Sequence, residues 1–364
     1  MPISTGEYTV GGIGTDYPGV TGLTDAIADI IASTLTGDLT FNVKGDINWA
    51  GGSMAANLTI GGNWTLKITS DDYHYGNYNE GHLLTLGAQS SICELNNGNV
   101  GGTTIVENIK ITGGDMNLDS YYIPSGTYHF NNAVVRNCIF NGMRLTLSNG
   151  RAWTPQTRKI SNNKFYNCVL EFISYWNFPA NPANTWVLVE NNTIYNQANV
   201  TVLVLSHDNV NAVNDYTYRN NVFANLAGVT KTIIAPAGYN YPVFLNNATS
   251  DDRAGALAWG AGSAGNVSNI VPADEFDSLL IANARNLFLK EGVVTADWTR
   301  EPAGDVETFQ NIKFNPEVTV TPGAVVLNDS GIAPTLESVD ITGQAIPNSQ
   351  GEYPIGCHVQ EYSV

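Results

Sequence analysis

An asparagine that recurs at one phase of a short repeat is the feature of this sequence that most constrains its fold. Each copy reads as an apolar residue, any residue, Asn, two further residues and a second apolar residue. The recurring asparagines are Asn108, Asn137, Asn162, Asn191, Asn220 and, in a weaker copy, Asn246. They are 29, 25, 29, 29 and 26 residues apart, and a period of this length is typical of a solenoid.

The units between these asparagines are rich in short β-forming runs, such as residues 200–205 and 231–234. Short strands at a fixed period predict an all-β chain folded as a parallel β-helix, whose coils stack at about 4.8 Å. Stacked Asn side chains then hydrogen-bond along the axis, and Asn tolerates the left-handed backbone that redirects the chain. The apolar residues in phase with them are expected to stack inward, namely Ile111, Phe140, Phe165, Ile194 and Phe223. The alternative is a β-sandwich with Asn-rich turns.

The residues that precede the first five repeated asparagines are Glu107, Arg136, Ser161, Glu190 and Arg219, which place opposite charges in adjacent coils twice. Glu107 is one coil before Arg136, and Glu190 is one coil before Arg219. In a stacked coil these residues become cross-strand neighbours, so we expect two exposed ion pairs, each worth about 0.2–1 kcal/mol.

The repeat divides the chain into three regions. Residues 1–43 are expected to form an N-terminal segment with a short capping helix at 21–33, because Leu23, Ile27, Ile30 and Ile31 share one helical face. Residues 44–260 are expected to form the coils. Residues 261–364, where the Asn pattern has stopped, are expected to form an irregular β cap over the other end, since an open coil end leaves an unpaired edge strand.

Composition argues against two classes of partner. The chain of 364 residues has 16 Lys and Arg against 33 Asp and Glu, a formal net charge of −17. A polyanion-binding face needs clustered positive charge, so we expect no nucleic acid partner. No run of about 18 apolar residues occurs, so we expect no membrane insertion. The four cysteines form no C-x-x-C motif and are expected to be buried thiols.

Few residues have the pattern that glycan chemistry requires. Hydrolysis needs two carboxylates about 5–10 Å apart, and no acid pair here recurs one coil away at the same phase. His207 and Asp208 follow a strand-like run, and Glu171 lies near them by coil count, so these three are the candidates for catalysis. We lean towards a chain without enzymatic activity. No nucleotide, metal or nucleophile motif appears, so we expect no metal and no cofactor.

Both ends of the chain resemble a known family. Residues 8–17 and 23–27, together with Asp340 to Gly343 and Tyr353 to Cys357, are similar to the ends of right-handed, pectate-lyase-like parallel β-helix proteins. The resemblance extends over nearly the whole chain and implies a right-handed coil. The same fold hosts lyases, hydrolases, adhesins and phage structural proteins, and the lyase motifs are not recognisable here.

The resemblance implies a protein that works outside cells, yet the N-terminus has neither the basic nor the apolar segment of a secretory signal. We therefore expect a tailed-phage virion structural protein: a decoration, vertex or tail-surface protein on the virion surface, assembled in the host cytoplasm with other virion proteins. The alternatives are a tailspike-like depolymerase that binds a host surface glycan, and a bacterial surface adhesin. Tailspikes usually carry an anchoring domain before the coil, whereas here the coil-like opening begins near residue 7.

An uncharged aromatic segment suggests a contact between subunits. The stretch from Tyr175 to Trp186 contains no Lys, Arg, Asp or Glu, which suits an interface in a chain of high net charge. Tyr175, Trp176, Phe178 and Trp186 are therefore the interface candidates. The alternatives are stacking on sugars and packing of a long loop on the coil. The resemblance implies that the oligomer is a homotrimer.

Overall fold

The computed structural model of the chain describes only part of the sequence. It describes residues 6–31, 37–50, 52–53, 65–91, 100–119, 130–149, 156–174, 185–197, 203–207, 216–226, 233–234, 243–251, 263–300, 314–321, 327, 331, 333–334, 337–347, 354–358 and 362–363.

Strands greatly outnumber helices in this part of the chain. The helices are α1 (Gly22–Ile31) and α2 (Pro272–Glu275). The strands are β1 (Gly6–Gly11), β2 (Tyr17–Pro18), β3 (Leu39–Val43), β4 (Ile47–Trp49), β5 (Gly52–Ser53), β6 (Thr65–Ser70), β7 (Leu83–Ser91), β8 (Val100–Glu107), β9 (Lys110–Asp119), β10 (Phe130–Arg136), β11 (Ile139–Asn141), β12 (Arg144–Asn149), β13 (Gln156–Ser161), β14 (Lys164–Tyr166), β15 (Val169–Ser174), β16 (Thr185–Glu190), β17 (Thr193–Asn196), β18 (Leu203–His207), β19 (Tyr216–Arg219), β20 (Val222–Asn225), β21 (Ile233–Ile234), β22 (Val243–Leu245), β23 (Ala248–Thr249), β24 (Gly292–Arg300), β25 (Phe314–Thr321) and β26 (Tyr362–Ser363).

Two parallel sheets wind around the core. The first runs β2-β1-β3-β6-β8-β10-β13-β16-β19-β22. The second runs β21-β18-β15-β12-β9-β11-β14-β17-β20-β23, with β4, β5 and β7 beside it. Apart from β1, which also pairs with its chain neighbour β2, the strands of these sheets pair with their counterparts in adjacent coils, as β10 does with β8 and β13. The predicted parallel β-helix is thereby confirmed, and the β-sandwich alternative, which needs antiparallel sheets, is wrong.

The second sheet has two faces, and the long strand β9 belongs to both of them. Its first residues pair with β11 and its last residues pair with β12. The face made of β11, β14, β17, β20 and β23 is called the short-strand face below. A separate small sheet joins β24 antiparallel to β25 and parallel to β26.

The predicted inward stack is confirmed. Phe140 pairs with Ile111 on one side and with Phe165 on the other, and the stack continues through Ile194 and Phe223. All five side chains are fully buried. The rings of Phe140 and Phe165 lie 4.6 Å apart and nearly parallel, the offset arrangement that aromatic pairs favour.

The repeated asparagines occupy one turn of successive coils, as predicted. Asn108, Asn137, Asn162, Asn191, Asn220 and Asn246, called the turn row below, all have φ between 52° and 60°. This left-handed conformation is strained for most residues but accessible to Asn. Side chains within the turn row bond along the axis: Asn162 Nδ2 donates to Asn137 Oδ1 at 2.9 Å, and Asn220 Nδ2 donates to Asn191 Oδ1 at 3.3 Å.

A second row of asparagines, one residue later, forms the longer hydrogen-bonded ladder. It consists of Asn163, Asn192, Asn221, Asn247 and Asn266, called the inner row below. At each step the Oδ1 atom of the next asparagine accepts from both the backbone N–H and the Nδ2 of the previous one, at 2.8 to 3.1 Å. The first four side chains of the row are completely buried. The inner row therefore satisfies backbone donors that the turn leaves without a strand partner.

Both predicted ion pairs form; the expectation that they are exposed is wrong for the two carboxylates and for Arg219, whereas Arg136 is 40% exposed. Arg136 Nη2 lies 2.7 Å from Glu107 Oε2, and Lys67 also bonds this carboxylate. Arg219 bonds Glu190, whose side chain is 0% exposed. Burial opposes the charge of Glu107, yet the hydrogen bonds from Lys67 and Arg136 outweigh it and lower the pKa of this carboxyl.

Helix α1 packs near the first coil. Leu23, Ala26 and Ile27 are buried in the main core, and the helix contacts β1, β2 and β4. The side chains of Ile30 and Ile31, which the sequence places on the same helical face, lie outside the described residues.

Candidate functional site: the covered flank of the coil

The described candidate carboxylate for catalysis is engaged in an ion pair. Glu171 lies on β15, and its Oε2 is 3.3 Å from Arg144 Nη1 and 3.5 Å from the Thr146 hydroxyl, which donates to it. His207 ends β18 opposite Ser174, three positions along β15 from Glu171. Three residues of strand correspond to about 10 Å, so the backbone does not bring His207 and Glu171 together. Asp208 lies outside the described residues.

The interface candidates are described only at one backbone position. Tyr175, Trp176 and Phe178 lie outside the described residues. Trp186 lies on β16 with its backbone opposite Thr157 of β13. Their role in a contact between subunits stays a prediction.

The flank of the coil at the short-strand face is covered by other parts of the same chain. Side chains alternate along a strand, so Phe165 points into the core while Lys164 and Tyr166 point outward. These outward positions are nevertheless buried. The outward side chains Tyr166, Tyr195, Val222 and Ala224 pack against Ile270, Phe276, Leu287, Leu289, Leu327 and Ile355 in a second hydrophobic cluster.

Residues of the C-terminal region were expected to cover the open end of the coil. The cap at the coil end stays a prediction, but described residues within 270–289, 327, 339–341 and 355–358 lie along this flank. Cys357 and Ile341 pack on Ile139, and the backbone N–H of Gly356 donates to the Asn220 carbonyl at 2.7 Å. Asn162 Nδ2 donates to the Val339 carbonyl at 3.1 Å. A solenoid buries little surface between distant coils, so a strap along the side joins coils that would otherwise contact only their neighbours.

Lys164 lies at the centre of the covered flank without a carboxylate partner among the described residues. Its Nζ donates to the carbonyls of Gly76 at 2.9 Å and Asn286 at 2.6 Å, and it lies 3.7 Å from the centre of the Phe288 ring. The side chain is 1% exposed. Burial lowers the pKa of Lys164 to about 7, although the nearby Cys357 and Asp340 favour the charged form. A substantial fraction of this amine is therefore neutral at physiological pH.

Two buried histidines flank this lysine in their neutral forms. His74 Nδ1 accepts from the Gly76 N–H at 3.0 Å, so its Nε2, 2.8 Å from the Asn137 carbonyl, is the donor. Burial lowers the pKa of His74 to about 3. His358 stacks on Phe288 at 4.3 Å, accepts at Nδ1 from the Leu289 N–H, and burial keeps its pKa well below the usual value.

The other polar groups of the flank are fixed as well. Asp340 Oδ1 accepts from the N–H and the hydroxyl of Thr342, at 2.8 and 2.7 Å. The Tyr73 hydroxyl donates to the Ile341 carbonyl at 2.5 Å, and burial raises its pKa above the usual range. Burial also raises the pKa of the Cys357 thiol, so the sulfur is not a ready thiolate nucleophile. The arrangement thus contains one amine that is nucleophilic when neutral and several groups that hold it.

Sequence reasoning missed this site. Lys164 occupies a row of paired positions in which Lys110 is the other charged residue: Leu83, Lys110, Ile139, Lys164, Thr193, Val222 and Ala248. Two lysines in an otherwise uncharged row were the available signal. His74, Asn286 and His358 are too distant in sequence for any local pattern to assign them to Lys164.

Two further observations bear on the chemistry. The described residues contain no group of three or more His, Cys, Asp or Glu side chains placed to hold a metal ion. No helix within the described ranges is long and apolar enough to cross a membrane.

Comparison with known proteins gave no relative: no protein family model, no curated protein and no solved structure matches the chain.

Proposed function

We propose that this protein is a structural β-helix protein on the exterior of a tailed-phage virion. The observation that supports this proposal best is the covered flank, because the outward positions of β11, β14, β17, β20 and β23 pack against the chain's own C-terminal region. A glycan-cleaving coil needs an accessible groove with two carboxylates at the correct separation. Along the covered flank, the described outward side chains are instead committed to internal contacts.

The charged groups of the coil support the same role. Glu107 and Glu190 are held by cations of adjacent coils, and Glu171 is held by Arg144. A general acid or base must be free to exchange a proton with substrate, whereas these carboxylates serve to join coils. Joining successive coils is what a durable particle component requires.

The resemblance of both chain ends to pectate-lyase-like proteins is in keeping with such a protein, because the same fold hosts phage structural proteins. In this proposal the partners are other virion proteins and two further copies of the chain. Assembly takes place in the host cytoplasm, and the mature location is the virion surface.

Quantitative mass spectrometry of purified intact phage particles tests the proposal. We expect the chain to remain with particles through density-gradient purification. We expect a fixed number of copies per particle that agrees with the symmetry of the particle. Particles that lack the chain would contradict the proposal.

A second assay addresses the depolymerase alternative. The purified protein is incubated with host capsule or lipopolysaccharide, and released oligosaccharide is measured. We expect no release. Release that is abolished by Asp208→Ala, but not by the control Asp115→Ala on β9, would establish a glycan-cleaving enzyme instead.

A further inference from the structure

Asn286 is held against Lys164 in an unusual way. Its backbone carbonyl accepts from Lys164 Nζ at 2.6 Å, and its side chain is buried with an Nδ2 that has no hydrogen-bond partner. A buried amide without a partner costs about 1–3 kcal/mol, so its retention calls for an explanation.

The backbone beside Asn286 is strained. The next residue, Leu287, is fully buried and has φ of 55°, a left-handed conformation that a bulky residue rarely adopts. The N–H of Leu287 is fixed by the Ser278 carbonyl at 2.8 Å. Strain of this kind persists where the surroundings determine the conformation, and it clusters at functional positions. Here it follows the residue whose backbone carbonyl is held against the amine.

The amine itself is set up as a nucleophile. Two of its hydrogens point to the carbonyls of Gly76 and Asn286, which leaves the lone pair of the neutral form available. The Phe288 ring excludes water from the site, and a buried, desolvated lysine is a recognised way to obtain a reactive amine. Asp340 is a buried carboxylate whose charge acts on this amine.

We propose that Lys164 and Asn286 are the site of an intramolecular isopeptide bond. Lys164 Nζ attacks Asn286 Cγ, the Nζ–Cγ bond forms, and the Cγ–Nδ2 bond breaks. One proton moves from Nζ to the departing Nδ2, carried by Asp340, and ammonia leaves. No oxidant, reductant or cofactor is consumed, and the reaction is driven by positioning of the two groups in a site without water.

The bond would join β14, in the middle of the coil, to the segment that follows α2. It would make the covered flank a covalent part of the coil and close a loop of 121 intervening residues. Cross-linking a long loop restricts the unfolded chain, as a disulfide does, but without dependence on redox conditions.

Intact-mass measurement of the purified full-length protein, under denaturing conditions, is the first test. We expect the wild-type mass to fall short of the sequence mass by one ammonia. Digestion is expected to yield one branched peptide that contains both Lys164 and Asn286, with no tryptic cleavage after Lys164. A wild-type protein at its full sequence mass would overturn the proposal.

Variants then identify the residues responsible for the loss of ammonia. Lys164→Arg keeps a cation beside the two carbonyls but is expected to restore the full mass, and Asp340→Asn is expected to leave most of the protein unlinked. The matched control is Lys110→Arg, because Lys110 Nζ also donates to a carbonyl, that of Tyr78 at 2.9 Å, beside an aromatic ring. This control is expected to keep the deficit.

One competing reaction gives the same mass change. Asn residues followed by Gly, such as Asn141 and Asn149, lose ammonia when they cyclise to succinimide. A deficit that persists in Lys164→Arg, or that maps to such a position with no branched peptide, would refute the isopeptide bond. Because the branched peptide is read from the wild-type protein, this result stands even if a variant folds poorly.

Discussion

Asparagines of the inner row accept hydrogen bonds from buried donors, whereas those of the turn row adopt a left-handed backbone conformation. Substitutions at neighbouring positions can distinguish these two roles. We predict that Asn192→Ala, in the inner row, destabilises the coil far more than Asn191→Gly, in the turn row. The two residues are adjacent in sequence and equally buried, so they form a matched pair.

The magnitude follows from the bonds that each change removes. Without the Asn192 side chain, the buried N–H of Asn163 loses its acceptor at 3.0 Å, and Asn163 Nδ2 keeps only the Val135 carbonyl. One unpaired buried donor costs about 1–3 kcal/mol, and the weakened amide and the void add to this, for a total of about 3 kcal/mol. Asn191→Gly removes the 3.3 Å bond from Asn220 Nδ2 to Asn191 Oδ1, but Asn191 Nδ2 has no partner to lose and Gly adopts φ of 54° without strain. We expect Asn191→Gly to cost about 1 kcal/mol.

Guanidinium unfolding followed by far-ultraviolet circular dichroism gives the two free-energy differences. Hydrogen exchange at the Asn163 amide gives a local readout, because its protection depends on Asn192 Oδ1. We expect faster exchange at Asn163 in Asn192→Ala and unchanged exchange in Asn191→Gly. Equal destabilisation by the two variants, or an Asn163 amide that stays protected in Asn192→Ala, would refute the division of labour between the rows.

Three further predictions concern the buried charges, the histidine and the oligomer. Glu190→Gln leaves Arg219 without its buried partner and is expected to lower the free energy of unfolding by about 3–5 kcal/mol, with partial recovery in the double variant Glu190→Gln/Arg219→Gln. Glu171→Gln changes a pair whose arginine is half exposed and is expected to lower it by under about 1 kcal/mol. Similar costs for the two single variants would contradict this prediction. The pKa of His74 falls from 6.5 in the unfolded chain to about 3 in the folded protein, so the unfolded state binds more protons between these pH values. The free energy of unfolding therefore decreases as the pH falls from 6.5 to 3, by up to about 5 kcal/mol. His74→Gln is expected to flatten this pH dependence, and an unchanged slope would argue against the prediction. Light scattering of the wild-type protein at tens of micromolar is expected to give a trimer that Trp176→Ala weakens, and a monomer in both cases would remove the support for the contact around Tyr175 to Trp186.

The coil was predictable because its signal is local and repeated. One asparagine per coil needs a left-handed turn, and one apolar residue per coil fills the interior, so the sequence alone indicates both the turn row and the stack of Phe140 and Phe165. The inner row was also visible in the sequence, as Asn-Asn pairs such as Asn162-Asn163 and Asn191-Asn192. It was not predicted, because the first Asn of each pair was sufficient to explain the turn.

The covered flank was not predictable in the same way. An outward position on a solenoid strand is expected to face water, and nothing near Lys164 in sequence indicates that residues more than a hundred positions away lie on top of it. The burial of Glu190 has the same cause, because its surroundings depend on how neighbouring coils and distant segments pack. Sequence periodicity determines what a coil contains, whereas the groups covering it are determined by tertiary contacts.

The spacing of the turn row also shows where this chain absorbs changes in length. From Asn137 to the end of β12, and from Asn162 to the end of β15, the chain uses the same number of residues. The strands β13 and β16 then approach the next asparagine with the same length again. The whole difference between a step of 25 and a step of 29 residues lies in the connections 150–155 and 175–184. A foreign peptide grafted into 150–155 is therefore expected to leave every rung of both asparagine rows in register, whereas the connection 175–184 carries interface candidates and is better left unchanged.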